Sequence, residues 1–245
     1  MLLAPLCWGV AMSAAARGGD WQVSLGSGVG YAPRYEGAAE NRLWVLPLLD
    51  VNYNKGGFFV GVARGIGFNF SDSKFIQYGL RSTLGQARSQ DADPRLYGTG
   101  NIDYYLEGGA FLNLRLWLLS LNTSVASSDY GTHGDFSYSL ALPLGERDHF
   151  RIGGAMSFGD PMYNQTYFGV TAGQALASGN VLTPYVAAEG KKSTSASVSW
   201  SHNLDKHWFS STGVTYKRLE GSAQFSPLTQ RTSMLSANFL VGYRF

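Results

Sequence analysis

Leu235, Ser236, Ala237, Asn238, Phe239, Leu240, Val241, Gly242, Tyr243, Arg244 and Phe245 close the chain. The odd positions are apolar or aromatic, and the even ones are small or polar except for Leu240. A period of two marks a β-strand with one greasy face and one wet face. A soluble β-sandwich seldom ends on such a strand. A transmembrane barrel needs one, because its last strand pairs with its first to close the sheet. Phe239, Val241, Tyr243 and Phe245 also resemble the aromatic C-terminal signal that outer-membrane barrels present to their assembly machinery.

The same alternation recurs upstream. Residues 21–31 place Trp21, Val23, Leu25, Val29 and Tyr31 on one face and Gln22, Ser24, Gly26, Gly28 and Gly30 on the other. Further strands are predicted over 43–53, 58–70, 75–85, 102–112, 116–125, 136–144, 150–158, 193–203, 208–219 and 231–245. A tight turn at 54–57 joins two of them. Arg64 falls on the outward face of 58–70 and breaks its pattern, whereas Ile102 fits an outward position. The stretch 159–192 is expected to hold one more strand, because both ends of the barrel should lie on the periplasmic side and this requires an even count. A helix beginning in 163–178 is the alternative there. The fold class is thus all-β: an antiparallel, up-and-down transmembrane barrel of about 12 strands, with about 10 as the alternative. Tyr and Trp near the strand ends, among them Trp21, Tyr53, Trp117, Trp200 and Trp208, suit the membrane interfaces.

Composition agrees. Of 245 residues only 15% are charged, below the roughly 25% of soluble chains, while 14% are aromatic and 31 are glycine. Mean hydropathy is −0.09, and no run approaches the roughly 20 apolar residues of a spanning helix. The net charge of +2 is scattered, which argues against a nucleic-acid partner. Residues 1–16 resemble a secretory signal ending in Ala14, Ala15 and Ala16, although a basic n-region is missing. Residues 17–245 would form a single, monomeric barrel domain in the Gram-negative outer membrane, surrounded by its lipid. The one cysteine, Cys7, lies in the leader, so the mature chain would hold neither disulfide nor thiolate chemistry.

Chemistry is sparse. Ser127, Ser128, Asp129, His133 and Asp135 supply the residue types of a hydrolase triad, but they fall in a segment whose composition reads as a solvated turn. His202 and His207 flank another turn without a third ligand, so no metal and no cofactor is expected. The chain is expected not to be an enzyme. Asp50, Arg81, Asp103, Glu107, Arg151 and Arg244 all fall on the small or polar face and would share a narrow lumen. They are read first as a salt-bridged plug, with the lining of a small hydrophilic pore as the alternative.

Several motifs point further. They are Gly30-Tyr31-Ala32-Pro33-Arg34-Tyr35-Glu36-Gly37; Leu46-Pro47-Leu48-Leu49-Asp50; Arg95-Leu96-Tyr97-Gly98-Thr99-Gly100-Asn101-Ile102-Asp103; Tyr167-Phe168-Gly169-Val170 with Gln174-Ala175 and Ser178-Gly179; and Ser226-Pro227 before Tyr243-Arg244-Phe245. In this order they resemble the MipA/OmpV family of outer-membrane proteins over nearly the whole mature chain. The resemblance implies a scaffold that interacts with MltA, bridging a lytic transglycosylase and a penicillin-binding protein in peptidoglycan synthesis. Relatives described as porins or adhesins supply the alternatives. The chain departs at Leu84-Gly85-Gln86-Ala87-Arg88, where the family pattern has Gly followed directly by Arg. Counting strands back from the C-terminus puts 86–98, 127–134 and 159–178 on the periplasmic side, and 32–41 and 220–230 outside. Arg88, Asp91, Asp93, Arg95, Tyr163, Tyr167, Phe168 and Gln174 then become the expected partner surface.

Overall fold

The computed structural model describes residues 21–54 and 57–245. The expected leader, with Cys7, and the centre of the turn at 54–57 lie outside the described residues. Among them, twelve antiparallel strands form one closed barrel. They are β1 (Trp21–Pro33), β2 (Asn41–Tyr53), β3 (Phe58–Gly61), β4 (Gly65–Asn69), β5 (Ile76–Leu84) and β6 (Leu106–Leu116), then β7 (Leu119–Ser128), β8 (Gly131–Leu144), β9 (Asp148–Gly159), β10 (Gly190–Asn203), β11 (Trp208–Leu219) and β12 (Ser233–Arg244). β12 closes on β1, with Ser24 opposite Arg244 and Tyr31 opposite Ala237.

The alternation behaves as expected. Leu235 and Phe239 point outward and are exposed, as are Leu43, Val45, Phe68 and Leu80 on other strands. An apolar face of this extent suits lipid rather than water. Leu240, the exception on the wet face of β12, is buried inside the barrel opposite Gly28, whose missing side chain leaves it room. Trp21 with Tyr53, and Trp208 with Tyr243, pair their rings at 4.6 and 5.1 Å and form part of an aromatic girdle at one rim.

The strand count agrees with the sequence through two errors that cancel. Residues 58–70 are not one strand but the hairpin of β3 and β4, turning at Val62, Ala63 and Arg64. Gly65 follows with φ +79, a left-handed backbone that glycine adopts without strain. Gly61 and Gly65 are paired, so a three-residue turn keeps the inside–outside parity and hides itself in the pattern. Arg64 looked misplaced because it is a turn residue: its guanidinium reaches Asp50 at 2.9 Å through Nε and again through Nη2. Conversely, no strand lies between 159 and 190; helices α1 (Pro161–Phe168) and α2 (Ala172–Ala177) occupy that stretch.

The consequence is topological. Every connection between these two places lies at the opposite end from the one the strand count predicts. The connections at 34–40, 85–105, 160–189 and 220–232 all emerge at one end, the loop rim. The short turns at 62–64, inside the wall, and at 129–130, at the loop rim, complete that side. Strand ends Trp21 and Arg244 lie at the other end, the terminal rim, with the short turns at 70–75, 117–118, 145–147 and 204–207. Residues 86–98, 127–134 and 159–178 therefore share a rim with 32–41 and 220–230, against the expectation.

Candidate functional site: a capped loop rim

The long connections fold together into a cap. One apolar cluster joins Ile102, Tyr163, Tyr167, Phe168, Leu219 and Met234; a second joins Tyr35, Leu96, Val170, Leu182 and Leu228. Phe168 is 1% exposed and Leu96 fully buried, so this is a packed core and not a set of loose loops. Ile102 belongs to it: β6 begins only at Leu106, and Ile102 exchanges both backbone hydrogen bonds with Arg88 inside the cap.

Local chemistry explains each piece. Asp160 caps α1 by accepting from the Tyr163 N–H at 2.7 Å, with Pro161 supplying a preset φ in the first turn. Its other oxygen accepts from the Thr132 N–H at 2.8 Å, which ties the helix to β8. Thr171 and Gln174 form a capping box at the start of α2. The Gln174 amide also donates to the Thr99 carbonyl at 2.7 Å, fixing α2 to the 85–105 connection. Arg88 is buried and donates to the Tyr167 carbonyl at 2.7 Å; burial pushes its guanidinium down to about 10. The Tyr167 hydroxyl donates to the Gln86 carbonyl at 2.6 Å and lies 2.7 Å from the Tyr105 hydroxyl. Burial raises the Tyr167 phenol far above its ordinary value, so it stays a donor.

Two ionic groups bind the cap to the wall. Glu36, on the β1–β2 connection, meets Lys192 of β10 at 3.3 Å and Lys217 of β11 at 3.1 Å. Burial alone would raise the Glu36 carboxyl, but the two ammonium groups outweigh it and hold the value at about 2. Deeper, His133 lies between Glu107 at 3.1 Å and Asp135 at 3.4 Å, with its ring 4.7 Å from that of Tyr163. Ser157 donates to Asp135. The segment read as a solvated turn is therefore mostly strand: only Asp129 and Tyr130 turn, and His133 and Asp135 face inward. Both imidazole nitrogens face carboxylates, and Ser127 bonds Thr132 instead. A Ser–His–acid relay does not assemble from these residues. Among the described residues no cluster of three or more His, Cys, Asp or Glu is arranged to hold a metal.

The expected partner surface is largely interior. Arg88, Asp93, Tyr163, Tyr167 and Phe168 are buried in the cap, and Gln174 is half-buried. Only Asp91 and Arg95 remain exposed, with the Arg95 Nε donating to the Pro227 carbonyl at 2.9 Å. The expected lumen cluster is not one cluster either. Asp103 is exposed on the connection before β6, and Asp50 is taken by Arg64. Arg244 binds Asn203 at 2.9 Å and lies over the Phe209 ring at 4.1 Å. Arg81 approaches Phe111 at 6.0 Å, Arg151 buries its Nε, and Glu107 serves His133. The loops pack a cap over the loop rim. Of the C-terminal aromatics, Phe239 and Phe245 are exposed, and the Phe245 N–H donates to the Val23 carbonyl at 3.0 Å.

Known structures match as barrels. LpxR from Salmonella typhimurium is 11% identical, with 90% of this chain and 99% of that one covered and a TM-score of 0.49. An anion-selective porin from Comamonas acidovorans is 7% identical, with 92% and 98% covered and a TM-score of 0.42. OmpT of Vibrio cholerae is 6% identical, with 92% and 97% covered and a TM-score of 0.39. No curated protein sequence matches at a significant level. The family model described as MltA-interacting protein MipA matches residues 25–245, all of the barrel but the first four residues of β1, and the chain belongs to that family.

Proposed function

We propose that the chain is a closed, monomeric barrel of the Gram-negative outer membrane. In this reading it is not an enzyme but a scaffold for cell-wall machinery. The observation that carries the reading is the cap: its apolar core closes the loop rim, and Phe209, Leu240 and Phe59 fill the lumen below. Barrels of this kind put short turns in the periplasm and long loops outside. The cap then faces outward, and a periplasmic partner meets the terminal rim. Trp117 stands out there, 88% exposed at a left-handed turn position, on the rim that also carries Glu146, Arg147, Asp205 and Lys206 in other short turns. An exposed indole among mixed charges is the residue type that anchors protein interfaces. The family's name supplies the partner, a lytic transglycosylase of the MltA type; the penicillin-binding protein would be recruited alongside it.

The purified barrel is expected to recover such a transglycosylase from envelope extract. Trp117→Ala should weaken recovery at least tenfold, within the range of a 2 kcal/mol anchor. Asp91→Ala, on the opposite rim, should leave it unchanged. Equal recovery by both variants and the parent would remove the terminal rim as the docking surface. In planar bilayers the parent protein should give no stable conductance steps; a reproducible step would favour the porin instead.

A further inference from the structure

The barrel wall has a notch. β3 pairs with β2 only from Tyr53 to Asp50, and Val62 adds one bond to the Leu49 carbonyl at 3.0 Å. Above that point β2 continues to Asn41 with a neighbour on its β1 side alone. The next wall strand across the gap is β5, whose end at Thr83 and Leu84 likewise lacks a β4 partner. β5 ends at Leu84, two residues past its last β4 partner, Ser82, so from Pro47 to Asn41 no strand pairs with β2 on that side.

The notch lies at membrane depth. Leu43 sits opposite Tyr31 and Val45 opposite Val29, both within the outward apolar band, and they are 73% and 68% exposed. Because Leu49 directs its carbonyl to the β3 side, every second residue does the same, so Leu43, Val45 and Pro47 direct their backbone groups into the gap. Among the described residues nothing bonds the Leu43 or Val45 groups there. An open sheet edge is not tolerated in bare hydrocarbon; it must meet protein, water or a polar head group.

Two features choose among these. Pro47 falls at a gap-facing position, where it has no N–H to offer. A proline on an edge blocks the addition of another strand, which argues against a second copy or an extended peptide. Behind the edge, Arg42 lies flat over the Trp44 ring at 3.3 Å, makes no ion pair among the described residues, and has a buried, unpartnered Nε. Arg34 adjoins it, but both of its terminal nitrogens are taken, one by the Glu40 carboxylate at 3.0 Å and the other by the Ala92 carbonyl at 3.1 Å.

We propose that the notch is a lateral site for an anionic, phosphate-headed membrane lipid. Its phosphate meets Arg42 and accepts from the Leu43 N–H, its acyl chains lie along Leu43, Val45 and Leu84, and the part of one chain nearest the glycerol passes Trp44. The site is independent of the scaffold role and rests on the membrane barrel alone.

The test uses a variant in which Trp44 is the one remaining indole, reconstituted in vesicles whose acyl chains carry bromine. In a closed wall the inward Trp44 is shielded from those chains. It should instead be quenched by brominated phosphatidylglycerol at about fivefold lower lipid fraction than by brominated phosphatidylcholine, the preference one guanidinium supplies. Arg42→Gln should abolish the difference, and inorganic phosphate should not restore it. Equal quenching by both lipids, or none by either, overturns the proposal. Native mass spectrometry of the unaltered protein against Arg42→Gln gives the same decision without the tryptophan replacements: phosphatidylglycerol retained by the first and lost from the second supports the site, and equal retention removes it.

Discussion

Replacing Glu36 with alanine is expected to cost about 3–5 kcal/mol at neutral pH, because it leaves Lys192 and Lys217 as uncompensated cations at a largely buried position. The Glu36 side chain is only 9% exposed, so water cannot take over the missing charge. The pH dependence has a definite sign. The carboxyl's ordinary value is 4.5 and its folded value about 2, so the unfolded chain binds the proton more readily than the folded one. The stabilisation is complete above 4.5, declines as pH falls, and is gone once pH passes below about 2. Urea unfolding of the detergent-refolded barrel at about pH 7, 4 and 2 should show parent and Glu36→Ala converging toward the acid end. A gap that stayed constant across the series would mean that Glu36 does not tether the cap through its charge.

Phe168→Ala is the second large effect. The side chain is 1% exposed in the first apolar cluster, and its removal should cost about 3–5 kcal/mol, the usual range for a deleted core phenylalanine. The loss should be confined to the cap. The twelve strands bond to one another around the wall, and none of those bonds involves α1. The folded barrel should therefore keep its heat-modifiable mobility on gels, while protease begins to cut within 160–189. A cap that remained resistant would show that Tyr163, Tyr167 and their neighbours hold it without Phe168.

The cap was locally legible and globally misread. Asp160 before Pro161, and Thr171 three residues before Gln174, are helix-start signals that stand in the sequence. An even strand count argues against them, because the hairpin at 62–64 reads in the sequence as one continuous strand. Its turn keeps the alternation in phase, so no hydrophobic period marks it; only Gly65 and the displaced Arg64 do. The resulting inversion carried Arg88, Asp93, Tyr163 and Tyr167 from a capped interior to an imagined periplasmic surface. His133 is hidden in the sequence for a related reason: Ser, Gly and Asp around it look like a turn, yet the tight turn needs only two residues and the rest is wall.

The sequence by itself determined that this is a barrel, which strands close it, and which face of those strands points outward. Those properties follow from a period of two, which is local and survives any error in counting turns. The tertiary structure alone decided which rim is capped and what holds the cap. Glu36 meets Lys192 and Lys217 across 156 and 181 residues of sequence, and no local pattern encodes a contact that exists only once β1 has closed on β12.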